Sequence, residues 1–179
     1  ARCLVCGGTQ LDEWATAQDV EYESVPESFR YLRCDKCDVL VIDPVPLDRL
    51  SVIYPSNYYS FAAGKKGFVT RIKERLDQRV FRKLLSAIDA PELSVLDVGG
   101  GSGWLLDVVK GIDPRVKFTQ VADIDPDAAE IARSNGHAYF EGTIEQFEAD
   151  RQFDVILLLN IIEHVADPRA VLELSLIHI

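Results

Sequence analysis

The chain has 179 residues, 47% of them hydrophobic, and a formal net charge of −10. That size suffices for one core of ordinary extent plus a small appendage. The acidic balance argues against a general nucleic-acid binder, which neutralises phosphates with surplus Lys and Arg, and no apolar run reaches the roughly 18 residues of a membrane helix. The N-terminus carries cysteines and charges where a secretory signal needs an apolar stretch, so a cytoplasmic location with no membrane partner is expected. Charge is uneven: residues 1–60 hold 5 basic and 10 acidic side chains, 61–93 hold 8 and 4, and 94–179 hold 6 and 15. Met is missing, even at position 1, which predicts a start of translation further upstream. The ending Ser175-Leu176-Ile177-His178-Ile179 resembles translated adapter sequence appended to an unfinished helix.

Residues 1–46 form a first zone bracketed by two cysteine pairs, Cys3-x-x-Cys6 and Cys34-x-x-Cys37. Two such knuckles provide the four thiolates of a closed tetrahedral zinc site, and a reducing compartment disfavours disulfides. A redox dithiol would explain one pair but hardly both. The 27 residues between the pairs exceed the usual ribbon spacing, so the segment holding Trp14 and Tyr22 is expected to fold out as an extra hairpin. With no further ligand nearby, the metal is expected to be structural, supplying folding energy to a piece too small for its own core.

Residues 47–93 form a second zone. A Tyr-rich stretch with Tyr54, Tyr58 and Tyr59 precedes a helical pattern in which Phe68, Ile72, Leu76, Val80, Leu84 and Ile88 recur every fourth residue, with Phe81 and Leu85 beside them. This predicts one apolar face packed on the next domain. Arg71, Lys73, Arg75, Arg79, Arg82 and Lys83 line much of the rest, a solvated face rather than a phosphate-binding one.

From residue 94 to 179 strand and helix patterns alternate. Strands are predicted at about 94–98, 117–122, 138–140 and 153–159, and helices at about 102–110, 126–135, 143–148 and 168–175. The fold class is therefore α/β, a Rossmann-like, doubly wound parallel sheet truncated after about four strands and preceded by a small zinc-ribbon-like β segment. Asp125-Pro126 and Asp167-Pro168 each read as an N-cap followed by Pro at the first helical position. His137 precedes a short strand and is expected to be exposed. After the first strand comes Gly99-Gly100-Gly101-Ser102-Gly103, a loop that lets a ligand approach the backbone ahead of a helix N-terminus. The dinucleotide fingerprint G-x-G-x-x-G fails, because it needs a small residue where Trp104 stands.

The pattern present instead, D-x-G-x-G-x-G from Asp97 to Gly103, resembles the first motif of class I S-adenosylmethionine-dependent methyltransferases. The second strand adds a carboxylate at its carboxyl end, Asp123, 24 residues after Gly99. Gly142-Thr143-Ile144-Glu145 and the run Phe153 to Val165 are similar to ubiquinone-biosynthesis-type O-methyltransferases. The cysteine knuckles joined to such a sheet resemble nucleotide-sugar C-methyltransferases. The resemblance implies S-adenosylmethionine as cofactor. Asp97, Gly99, Gly101 and Gly103 then line its methionine end, Asp123 holds the ribose, Ile124, Thr143, Ile144 and Glu145 flank adenine, and Asn160 lies near the methionine moiety. It also implies a Tyr-rich lid, although the tyrosines could equally be anchors. His164 is the candidate general base and Glu163 its orienting partner, or the pair supports the loop. The implied reaction is methyl transfer to a small-molecule acceptor, a sugar nucleotide or a phenol-like compound. An RNA-base methyltransferase holding RNA on the ribbon and a non-catalytic zinc-ribbon interaction module are the alternatives.

Overall fold

The computed structural model describes residues 2–20, 22–46, 49–53, 68–148, 150–165 and 167–177, with the side chains at 50, 51, 68–74 and 77 left aside. Tyr54, Tyr58 and Tyr59 lie outside the described residues. The chain divides into two units, residues 1–62 with 165–170, and residues 63–164 with 171–179.

The first unit is built on a three-stranded antiparallel sheet in the order β1-β2-β3, with β1 Leu11–Gln18, β2 Ser28–Cys34 and β3 Leu40–Ile42. β1 and β2 form the hairpin expected between the cysteine pairs. Its register slips between Glu13 and Ala15, leaving Trp14 unpaired on the strand and exposed. At the hairpin end Asp19 accepts hydrogen bonds from the Tyr22 and Ser24 amides, an aspartate nucleating a turn through its own side chain. One helical turn, α1 Leu50–Ile53, follows.

The second unit opens with α2, Phe68–Ser86. Among its described side chains Phe81 and Leu85 are buried, whereas Leu76, Val80 and Leu84 are exposed. The expected every-fourth-residue face is therefore corrected. An α-helix turns about 100° per residue, so an i, i+4 stripe drifts about 40° at each step and cannot stay on one packed face. Phe68 and Ile72 of that stripe lie outside the described side chains. Arg115 fastens the helix end, its guanidinium donating to the carbonyls of Leu85 (2.8 Å), Ile88 (2.9 Å) and Ala90 (3.2 Å). Asp113 pairs with the same guanidinium, which holds its carboxyl below the usual range.

The sheet that follows has four strands, β4 Leu93–Val98, β5 Val116–Asp123, β6 Ala138–Glu141 and β7 Val155–Leu157, interleaved with α3 Trp104–Ile112, α4 Pro126–Ser134 and, after β7, α5 Pro168–Ile177. Every pairing is parallel and the order is β6-β5-β4-β7. Strands buried on both faces should read as continuous apolar runs, and Val95, Leu96, Val98, Val121 and Ala122 do so. Leu106 and Val109 of α3, Ala132 of α4 and Leu85 of α2 complete the core. Two elements are shorter than expected. The predicted helix at 143–148 is a single 3₁₀ turn, Ile144–Gln146, closed by a reciprocal Thr143–Gln146 capping box, and β7 pairs over three residues.

The order has a functional consequence. The chain steps outward from β4 to β5 and β6, then returns to the other side of β4 with β7. The direction of winding reverses beside β4, and in such sheets the crevice outside the carboxyl ends at that reversal receives the ligand.

Candidate functional site

The cysteine knuckles share one local geometry. Gly7 N–H donates to the Cys3 carbonyl (2.9 Å) and Asp38 N–H to the Cys34 carbonyl (2.9 Å). Gly7 and Asp38, each directly after the second cysteine of its pair, adopt left-handed φ of 72° and 59°. The two turns bring all four Sγ atoms within 4.8 Å of one another. Cys3 and Cys37 are 3.8 Å apart, and Cys6 and Cys34 3.6 Å. Four ligands about 2.3 Å from a tetrahedral zinc stand about 3.8 Å apart, whereas a disulfide brings sulfurs to about 2.05 Å. The donor set, spacing and compactness fit zinc. Burial raises the Cys3 thiol, but the Cys6 and Val5 amides and the adjacent sulfurs bring it down to about 7. For Cys37, the Val39 amide acts downward, yet the crowd of neighbouring thiols pushes it up to about 12.

In the second unit β4 ends in the glycine loop. Gly99, Gly101 and Gly103 have φ of 70°, 51° and 77°. Beneath them lies Asp97, on the central strand between Val121 of β5 and Leu157 of β7. Its side chain is 3% exposed and receives no hydrogen bond among the described residues. Burial, reinforced by Asp123, pushes its carboxyl up to about 7. A Cβ built on Gly100 would stand 2.6 Å from Asp97 Oδ2, so only glycine lets the backbone fold over this acid.

Asp123 ends β5 with both oxygens turned to backbone amides, Oδ2 accepting from Gly101 (2.8 Å) and Oδ1 from Asp125 (3.0 Å). Asp125 caps α4, accepting from the Asp127 amide with Pro126 at the first helical position. The helix-cap role thus falls to Asp125, and Asp123 instead ties the glycine loop to the end of β5. Ile124 projects between them, 59% exposed.

At the neighbouring strand ends, Thr143 and Glu145 are exposed while Ile144 is buried. Asn160, in the turn after β7, holds a left-handed φ of 53°. Ile161 reaches back over the loop, since a Cβ on Gly99 would lie 2.9 Å from its Cδ1. Glu163 and His164 stand in the same turn with Oε1 and Nε2 4.0 Å apart, both accessible to solvent. The glycine loop, Asp97 and Asp123 thus form one connected cluster. Ile124, Asn160 and the Glu163–His164 pair sit on the turns that leave β5 and β7.

His137 corrects the expectation of exposure. The residue is 3% exposed, its ring bonded to Thr119 through Nδ1 (2.8 Å) and to Asp107 through Nε2 (3.1 Å). The missed signal was Asn135-Gly136 closing α4. The His137 amide donates to Ala132 and the Gly136 amide to Arg133, a Schellman motif, and the residue after the left-handed glycine of such a motif turns inward.

A family model described as "Methyltransferase domain" matches residues 68–176. Ubiquinone biosynthesis O-methyltransferase of Rickettsia bellii (strain OSU 85-389) is 31% identical over 106 residues, covering 57% of this chain and 44% of the relative. The chain thus spans less than half the length of that curated relative. The plantazolicin methyltransferase BpumL, solved with a triazolic desmethylPZN analog and SAH, superposes with a TM-score of 0.51 at 20% identity, over 62% of this chain and 44% of that one. SAM-bound CalS10, an amino pentose methyltransferase from Micromonospora echinaspora, gives 0.50 at 19% identity, over 66% and 53%. These structures share the fold.

Proposed function

Since the chain belongs to the methyltransferase-domain family, we propose that it transfers a methyl group from S-adenosylmethionine to a small-molecule acceptor, a sugar nucleotide or a phenol-like compound. The observation that carries this reading is Asp97, a buried carboxyl with no hydrogen-bond donor among the described residues, under a glycine loop at the reversal point of the sheet. A buried acid without a partner is costly, and a cationic ligand in the crevice relieves that cost. S-adenosylmethionine carries two positive charges, on its sulfonium and its amino group, and the residues present fit it.

When bound, the cofactor supplies an electrophilic methyl group to a nucleophile attacking in line with the sulfur. The chain's own residues bind and orient. Asp97 provides negative charge at the methionine end, and Gly99, Gly101 and Gly103 keep the backbone low enough for close approach. Asp123 accepts from the ribose hydroxyls, exchanging its Gly101 partner for the ligand. Ile124, Thr143 and Glu145 flank adenine, Ile144 anchors that turn from within, and Asn160 stands beside the methionine moiety. Alignment and exclusion of water supply much of the rate in such a displacement. For a hydroxyl or amine acceptor, His164 takes up the departing proton at Nδ1, with Glu163 facing Nε2 and stabilising the imidazolium. In the first unit Cys3, Cys6, Cys34 and Cys37 hold a structural zinc ion.

Calorimetric titration with S-adenosylmethionine tests the reading. Binding in the micromolar range is expected for the chain, with Asp123→Ala weakened by about tenfold or more through loss of two charge-assisted hydrogen bonds. No heat at millimolar cofactor would refute it.

A further inference from the structure

His137 has no part in the functions above, yet it holds two buried polar groups next to the loop. The position after the left-handed residue of a Schellman motif usually carries an apolar side chain, and a leucine would fill the volume with nothing left to satisfy. An imidazole there must find partners for both nitrogens. It has them on two elements. The Asp107 carboxylate of α3 only accepts, so Nε2–H donates to it, and Thr119 Oγ–H of β5 donates to Nδ1. Asn135 Nδ2 donates to the other Asp107 oxygen (3.2 Å). With both nitrogens anchored the ring cannot rotate, and its Cδ2 edge faces Gly103. A Cβ built on Gly103 would stand 2.6 Å from Cδ2. Gly103 is the N-cap of α3, with φ of 77° and no side chain to satisfy the helix start, and its carbonyl accepts from the Asp107 amide (3.0 Å). Gly103, Asp107 and His137 therefore close a ring of contacts around the first turn of α3. Asp123 holds the same loop from its other end, through Gly101.

Resting on the S-adenosylmethionine reading, we propose that His137 is a positioning residue for the cofactor, acting through Gly103 to fix the first turn of α3 and the free N–H groups that open it. The mechanism is steric and directional. The neutral ring, oriented by Thr119 and Asp107, sets how far Gly103 can sink toward β5, and hence where the loop stands relative to Asp97 and Asp123. The groups facing the ring are Asp107 and Lys110 from α3, Thr119 from β5 and Asn135 from the end of α4. Burial lowers the ring's proton affinity, Asp107 opposes that, and Lys110 adds to it.

The test uses the whole chain, with S-adenosylhomocysteine as probe in calorimetry and the Gly101 and Gly103 amide resonances as a readout that needs no ligand. Asp107 has an accessible side chain, so Asp107→Ala frees the ring without opening a core cavity. It is expected to shift both amides and weaken binding by about threefold or more, His137→Ala by about tenfold, and Asp107→Asn, which still accepts from Nε2–H, to recover both readouts. If Asp107→Ala and His137→Ala lower Tm but bind like the parent with both amides unmoved, the ring only fills space and the proposal falls. If the parent chain binds no probe while Asp107→Ala still moves the amides, the cofactor reading fails and the strut beneath the loop stands alone.

Discussion

In the proposed cofactor site, Asp97 links binding to a proton. Its carboxyl is raised from 3.8 to about 7 by burial and by Asp123, so the free protein holds a proton there at mildly acidic pH. A cationic ligand favours the carboxylate, so binding must release that proton. Affinity for S-adenosylmethionine is expected to rise up to about tenfold per pH unit below 7 and level off above it. Calorimetry in buffers of different ionisation enthalpy will register the released proton, and Asp97→Asn will abolish both the slope and the release. For stability of the free protein the sign is reversed. A carboxyl raised on folding binds its proton more tightly in the native state, so stability from this group is lost as pH rises from about 4 to 7. His137 acts oppositely. Its proton affinity falls on folding, so its contribution is present above 6.5 and lost as pH falls below that value. At Gly100, alanine would place a methyl 2.6 Å from Asp97 Oδ2, and Gly100→Ala is expected to abolish cofactor binding while the chain still folds. Retained affinity in a calorimetric titration would count against the position assigned to the loop.

Among the elements, α2 separates what periodicity can tell from what packing decides. Leu85 is 1% exposed and Val80, five residues earlier, is 63% exposed. Leu85→Ala is expected to cost about 3 kcal/mol through the cavity it leaves, and Val80→Ala less than about 0.5 kcal/mol. Equal losses in denaturant unfolding would restore the stripe read from spacing alone. The strands of the second unit were legible because β4 and β5 are buried on both faces and interrupted by Gly99 and by Asp125-Pro126, which leave little freedom in placing their ends. The β1–β2 hairpin was legible for a different reason: cysteine pairs with 27 residues between them can meet only if the intervening segment doubles back. What escaped the sequence depends on tertiary partners. The inward turn of His137 requires knowing that α4 ends in a Schellman motif, and the shortness of β7 depends on its pairing with Val95 to Asp97. The proposed site rests in the sequence on residue types at fixed spacing. That Asp97 has no donor among the described residues, and that Asp123 reaches Gly101, are facts of packing that no spacing contains.

For the molecule as a whole, the two units rest on different sources of stability. The second buries a contiguous, largely aliphatic core, while the first presents a three-stranded sheet in which, among the described residues, Val25, Leu32, Cys3 and Cys34 are the buried apolar groups. With so few buried groups, the proposed zinc ion is expected to be decisive for the folding of the first unit. One zinc per chain is expected by elemental analysis, and titrating the thiols with an organomercurial should release it while the amide dispersion of β1 and β2 collapses. Cys34→Ser, at a fully buried ligand, is expected to do the same without reagent. A dispersed hairpin spectrum in metal-free protein would overturn the zinc assignment. The second unit carries its own vulnerability in the strand order. β4 pairs on one side with β5, which emerges from the ribosome soon after it, and on the other with β7, where the Ser94 amide meets Asp154 across 60 residues. At 5–20 residues per second that gap lasts about 3 to 12 seconds, during which the strand destined to be most buried in the sheet shows a row of unpaired amides and carbonyls to its surroundings. The winding reversal at which the ligand crevice is proposed is thus also, while the chain is being made, an interval of exposure that favours chaperone capture or aggregation.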